Sequence, residues 1–136
     1  MSDITGSCLC GTVKYAVTGP WTRFMQCYCS RCRKATGSAH ATNLFAEAAN
    51  FRWTAGEDSV GRYDVPAAAS FATGFCRHCG GKVPHRSRNG KLFVIPAGSL
   101  DQPPDIKPQA RIFWGSRADW VCEGEELPRF EGSAQA

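Results

Sequence analysis

No apolar run in this sequence approaches the roughly 20 residues needed to cross a bilayer as a helix. The start, Met1-Ser2-Asp3-Ile4-Thr5, has no basic segment followed by an apolar stretch, so no secretory signal is expected. Internal repeats, low-complexity tracts and a long amphipathic helix are also missing, which argues against solenoid, fibrous and coiled-coil architectures. Charged residues make up only 21% against 43% hydrophobic, a globular balance that argues against disorder through the bulk of the chain. With 136 residues there is room for one domain, expected over 1–132, with a small polar tail at 133–136 expected to be disordered. The chain therefore reads as soluble and cytoplasmic, with no membrane partner.

Cysteine is what the sequence has in excess: eight residues, seven of them in three short clusters. In a reducing compartment such clusters mean metal or catalysis more often than disulfides. The formal charge of +4 would invite a nucleic-acid partner. Seven thiolates on two divalent ions carry a net −3, however, which leaves about +1. The basic residues are not interleaved with aromatics, so no nucleic-acid partner is expected.

The clusters differ in spacing. Cys8-Leu9-Cys10-Gly11 puts two thiols on one face of an extended chain. Cys76-Arg77-His78-Cys79-Gly80 has the spacing of a metal knuckle, whose following glycine permits the tight backbone path. Together Cys8, Cys10, Cys76 and Cys79 make a tetrahedral four-thiolate set, a closed shell expected to bind a structural zinc; reduced core thiols or disulfides are the alternatives. Cys27-Tyr28-Cys29-Ser30-Arg31-Cys32 offers three thiolates in six residues, with no fourth nearby. That leaves a coordination position open, as catalytic sites do, although a redox cysteine group is the competing reading. Cys122 has no partner spacing and reads as a lone surface thiol.

Ligand type restricts the chemistry at Cys27, Cys29 and Cys32. Three thiolates leave a divalent ion at net −1, which weakens its pull on a bound water and disfavours hydrolysis. Such a soft site better suits a fourth ligand that is itself a thiolate. A zinc deaminase is excluded, because no histidine is followed two residues later by glutamate: the triplets are His40-Ala41-Thr42, His78-Cys79-Gly80 and His85-Arg86-Ser87.

Many short strands with glycine and proline punctuation predict a mainly β domain with little helix. Strands are expected at 12–17, 43–45, 51–53, 59–65, 70–75 and 110–114, with the strongly apolar 91–96 as a central strand. One short helix is expected from Ser30 to Thr36, with Ser30 as N-cap and Gly37 as its stop.

The three cysteine motifs, in order, resemble the family of glutathione-dependent formaldehyde-activating enzymes, which includes centromere protein V. The likeness is carried by Gly6-Ser7-Cys8-Leu9-Cys10-Gly11, by Cys27 through Ser38, by Phe75-Cys76-Arg77-His78-Cys79-Gly80-Gly81, and by Trp120 with Leu127-Pro128-Arg129-Phe130-Glu131. Tyr28 departs from it, standing where many relatives have histidine. The resemblance implies a β-tent fold of short antiparallel sheets, shared with zinc-containing chaperones of small GTPases. It implies two zinc ions per chain: a structural one on Cys8, Cys10, Cys76 and Cys79, and a labile one on Cys27, Cys29 and Cys32, which become the candidate catalytic residues. The implied reaction is that of a carbon–sulfur lyase, joining formaldehyde to a small-molecule thiol, glutathione. Arg31, Arg33 and Lys34 are then candidates to pair with glutathione carboxylates, and His40 to line the pocket or move a proton. The rival is a non-catalytic, zinc-stabilised binding module like the GTPase chaperones.

Overall fold

The computed structural model describes residues 3–124 and 126–134. Among these residues the structure is mainly β, with three small sheets, one α-helix and short 3-10 turns. The first sheet has the order β1 (Ile4–Ser7), β2 (Lys14–Val17), β5 (Phe51–Ala55). The second sheet is built on β3 (Trp21–Cys27), β4 (Ala41–Glu47) and β10 (Leu92–Pro96), with β11 (Ala110–Ile112) and β9 (His85–Arg86) on its edges. The third joins β6 (Val60–Asp64), β7 (Ala72–Cys76) and β8 (Lys82–Val83). Pairing is antiparallel except for β11, which lies parallel to β3, a departure from wholly antiparallel sheets. Helix α1 (Ser30–Thr36) follows β3 directly.

Most expected strands are found within a residue or two, and the apolar 91–96 run is an interior strand between β4 and β9. The long strand β3 has no clean alternation in the sequence. Its register slips between Trp21 and Arg23, and only Phe24 along it is fully buried, so the period-two signal is erased. β1 and the two-residue strands β8 and β9 are likewise absent from the sequence-based expectations. The tail residues 135 and 136 lie outside the described residues.

The main core lies where the first and second sheets meet. Tyr15, Val17, Phe24, Leu44, Ala46, Phe93 and Ile95 are buried there, with Trp21, Phe51 and Trp53 packed around them. Phe51 stacks on Phe93 with ring centroids 3.8 Å apart. Each fully buried Leu or Ile adds about 2 kcal/mol. The fully buried Tyr15 hydroxyl is satisfied by Ser99 Oγ at 2.6 Å, and burial pushes its pKa to about 12. A Cβ on Gly6 would collide with the Tyr15 ring, which is why β1 has glycine there.

Strand parity then decides what the second sheet does with its other face. Leu44 and Ala46 point into the core, so Ala41, Asn43 and Phe45 must point the other way. Across the pairings that face continues through Arg23 opposite Phe45, Val94 opposite Phe45 and Cys27 opposite Ala41. It is only partly open to solvent. Helix α1 and parts of β7 and β8 flank it, leaving a cavity with an open mouth.

Candidate metal centres and cavity

The four-cysteine cluster forms where the β1–β2 turn meets the β7–β8 turn. Cys8 and Cys76 are buried, Cys79 is half-buried and Cys10 exposed. All four sulfurs lie within 4.8 Å of one another, with Cys8–Cys10 at 3.7 Å and Cys10–Cys76 at 3.9 Å. Four thiolates about 2.3 Å from one ion define a tetrahedron with edges of about 3.8 Å, so the arrangement fits a common metal. The backbone is shaped around it. Gly80, at φ 73°, takes the left-handed turn that lets its N–H reach the Cys76 carbonyl at 2.8 Å. N–H groups point at sulfur from Val13 to Cys8 (3.3 Å), His78 to Cys76 (3.3 Å) and Gly81 to Cys79 (3.4 Å). Backbone donors from Cys10 and Gly81 hold Cys79 down to about 6, ready to bind metal as thiolate. His78 is fixed by Ser59, Nε2 to Oγ at 3.2 Å, so it shapes the knuckle rather than joining the ligands.

The three-cysteine cluster sits at the end of β3 and the start of α1. Cys27, Cys29 and Cys32 also bring their sulfurs within 4.8 Å of one another, and all three line a cavity of about 560 Å³. The helix begins differently from the sequence expectation. Its N-cap is Cys29 and not Ser30: the Cys29 sulfur accepts the Cys32 N–H at 3.3 Å. One atom thus caps the helix and belongs to the cluster. Gly37 ends the helix as expected, at φ 71° with its N–H on the Arg33 carbonyl at 2.7 Å.

The three thiols do not share one environment. Burial pushes Cys32 strongly up and raises Cys27. Burial also works to raise Cys29, but the Cys32 N–H and the neighbouring thiols outweigh it, so Cys29 is lowered and ionises first.

Tyr28, 5% exposed, anchors the loop between the first two thiols. Its N–H donates to the Ile112 carbonyl at 2.9 Å, and its ring lies 4.8 Å from His40 and 4.9 Å from Trp114. Arg117 covers Trp114 from 4.5 Å. Parallel pairing of β11 with β3 therefore supplies the packing that holds the cysteine loop.

The sequence profile of the family described as "Glutathione-dependent formaldehyde-activating enzyme" matches residues 3–116. The chain belongs to this family. A protein of Halomonas elongata named "Putative glutathione-dependent formaldehyde-activating enzyme" is 29% identical over 137 residues, covering 93% of this chain and 85% of that protein. A crystal structure of a Rhodobacter sphaeroides protein, a structural-genomics target, superposes with a TM-score of 0.61. It is 23% identical and the match covers 79% of this chain and 98% of that one, a likeness of fold.

Within this glutathione-dependent formaldehyde-activating family member, the other candidate site residues fall apart. Arg31 lines the cavity. Arg33 turns to the Ser116 carbonyl at 3.4 Å, and Lys34 is exposed on the far side of the helix from buried Cys32. His40 packs on Tyr28 and pairs with Thr42 Oγ1 at 3.0 Å through Nδ1; burial and then Arg111 lower its pKa. In their place the fold brings Arg23, Lys82 and His85 to the cavity. Motif spacing carries no signal for these three: Arg23 shares β3 with Cys27 but lies outside the cysteine motif, and Lys82 and His85 come from strands β8 and β9, far in sequence from Cys27, Cys29 and Cys32. Burial foremost, with Arg62 next, drops His85 to about 4, so it is neutral at pH 7. Cys122 is exposed, as expected.

Proposed function

We propose that this protein is a zinc-dependent enzyme of carbon–sulfur lyase type that joins a small thiol, glutathione, to formaldehyde or releases it again. The observation that carries this reading is the contrast between the clusters. The four-cysteine set is a complete tetrahedral donor set, whereas Cys27, Cys29 and Cys32 open onto about 560 Å³ of space. Cys8, Cys10, Cys76 and Cys79 would hold a structural zinc, and Cys27, Cys29 and Cys32 a second, labile one. Bound there, zinc supplies one thing: it lowers the pKa of a thiol taken as fourth ligand, so thiolate exists at neutral pH without a dedicated base.

The residues around it set the rest. Arg31 is placed to orient a carboxylate of the thiol beside the cysteines. Ala41, Phe45 and Val94 give the cavity an apolar wall beside the cysteines. The new bond runs from sulfur to the aldehyde carbon, and the carbonyl oxygen takes up a proton equivalent to the one the thiol released. All eight cysteines are unpaired, which suits a reducing, cytoplasmic setting.

The test is exchange between glutathione, formaldehyde and their adduct, followed by NMR for wild type and Cys29→Ser, alongside the zinc count. Wild type should hold two zinc ions and accelerate exchange by at least about tenfold, equivalent to about 1.4 kcal/mol of barrier. Cys29→Ser should hold one and lose the acceleration. Exchange at the uncatalysed rate in zinc-replete wild type would sink the proposal and favour a binding module.

A further inference from the structure

The ionic composition of the cavity is one-sided. Apart from the cysteines, its ionisable side chains are Arg23, Arg31, Lys82 and His85, and no aspartate or glutamate among the described residues lines it. Elsewhere four arginines are paired with acids: Arg52 with Asp3, Arg62 and Arg88 with Asp64, and Arg117 with Glu123. Among the described residues Arg23, Arg31 and Lys82 take part in no ion pair. Arg23 is laid over the Phe45 ring, 4.4 Å from its centroid, which holds the guanidinium plane at the cavity wall. Lys82 donates from Nζ to Thr73 Oγ1 at 2.8 Å, and burial lowers its pKa, so its charge is partly desolvated with no protein counter-ion among the described residues.

We propose that Arg23 and Lys82, which reach the cavity from β3 and β8, act with Arg31 of α1 as a receptor for the carboxylates of an anionic thiol, and so decide which thiols the site accepts. This rests on the thiol-adduct reading above and adds the charge of the substrate and the residues that select it.

Three separate elements, β3, α1 and β8, carry the three cations, which distributes the positive charge around the cavity wall. They suit a ligand with two acids held apart. Charge balance points the same way. A divalent ion on three thiolates has a net charge of −1, and a fourth thiolate makes it −2. Three cations exceed that by one. A thiol whose remaining groups sum to −1, such as two carboxylates and one ammonium, brings the cavity to neutrality. Neutralising the cysteine cluster alone would account for one of the three cations and leave two without a purpose.

The measurement is the affinity of the zinc-loaded protein for glutathione and for its diethyl ester, by calorimetry, in wild type, Lys82→Gln and Arg23→Gln. Glutamine at 82 can still donate to Thr73, and Arg23 is exposed on its strand, so both variants keep the fold. Wild type should prefer the diacid. Each variant should shrink that preference by roughly fivefold, the worth of one partly desolvated ion pair, with ester affinity and zinc content unchanged. A preference unaltered in both variants, or none in wild type, overturns the assignment while leaving the thiol reading intact. No binding of either thiol to the zinc-loaded wild type would overturn both.

Discussion

Cys29 has the most crowded set of duties in the chain. Its sulfur caps helix α1, belongs to the three-thiol cluster and is the member whose pKa is lowered. His85 is the opposite case, a residue whose importance comes from where the fold puts it. It lines the cavity between Lys82 and Arg86 in sequence, with Arg62 and Asp64 as its other charged neighbours. Its folded value of about 4 lies below the ordinary 6.5. As pH falls the unfolded chain therefore takes up this proton first. The stabilisation is whole above about 6.5 and declines down to about 4, by about 3–4 kcal/mol in all. Urea denaturation of zinc-loaded wild type and His85→Gln at pH 7 and pH 4.5 should show a smaller acid loss in the variant. Parallel losses would mean that His85 is not held neutral.

At the scale of elements, the support for the cysteine loop comes from β11 and the turn after it. β11 pairs parallel to β3, and Trp114 packs edge-on against Tyr28. The aromatic at position 28 acts through packing: it is buried against His40 and Trp114 and adds no ligand to the cluster. Tyr28→Ala should cost about 3 kcal/mol of stability as a buried ring is lost. The same variant should release the more labile zinc to a weak chelator sooner than wild type does, while the four-cysteine ion stays bound. A variant that keeps both ions equally well would show that the loop needs no such clamp. The helix is legible in outline because Gly37 is a strong stop and the cysteine spacing fixes the turn. Its cap is not, since a serine side chain is the usual N-cap and nothing local shows that a sulfur takes the place.

Over the whole molecule the two clusters make different demands on the fold. The four-cysteine set ties the β1–β2 turn to the β7–β8 turn and is surrounded by its own small core of Val13 and Val83. The three-cysteine set lies within one continuous stretch of chain, from Cys27 to Cys32. Titration with a strong chelator should therefore proceed in two steps. The first removes one zinc with the far-ultraviolet signal intact, and the second removes the other together with a cooperative loss of tertiary signal. Simultaneous loss of both ions and of structure would contradict this division of labour.

What the sequence determined on its own was everything that depends on short spacing. Ligands two or three residues apart must share a face or a turn, so both clusters, the knuckle glycine and the short helix are legible in the order of residues alone. The β10 run is legible for a related reason: a short, almost wholly apolar stretch suits a strand covered on both faces. Only the tertiary structure decided that Arg23, Lys82 and His85 meet the cysteines in one cavity, while Arg33 turns to Ser116 and His40 packs on Tyr28. Those positions are fixed by sheet register and by strand order across most of the chain. A shift of one residue in β3 or β8 would turn the same side chains to the opposite face, and no local pattern in the sequence records which face is chosen.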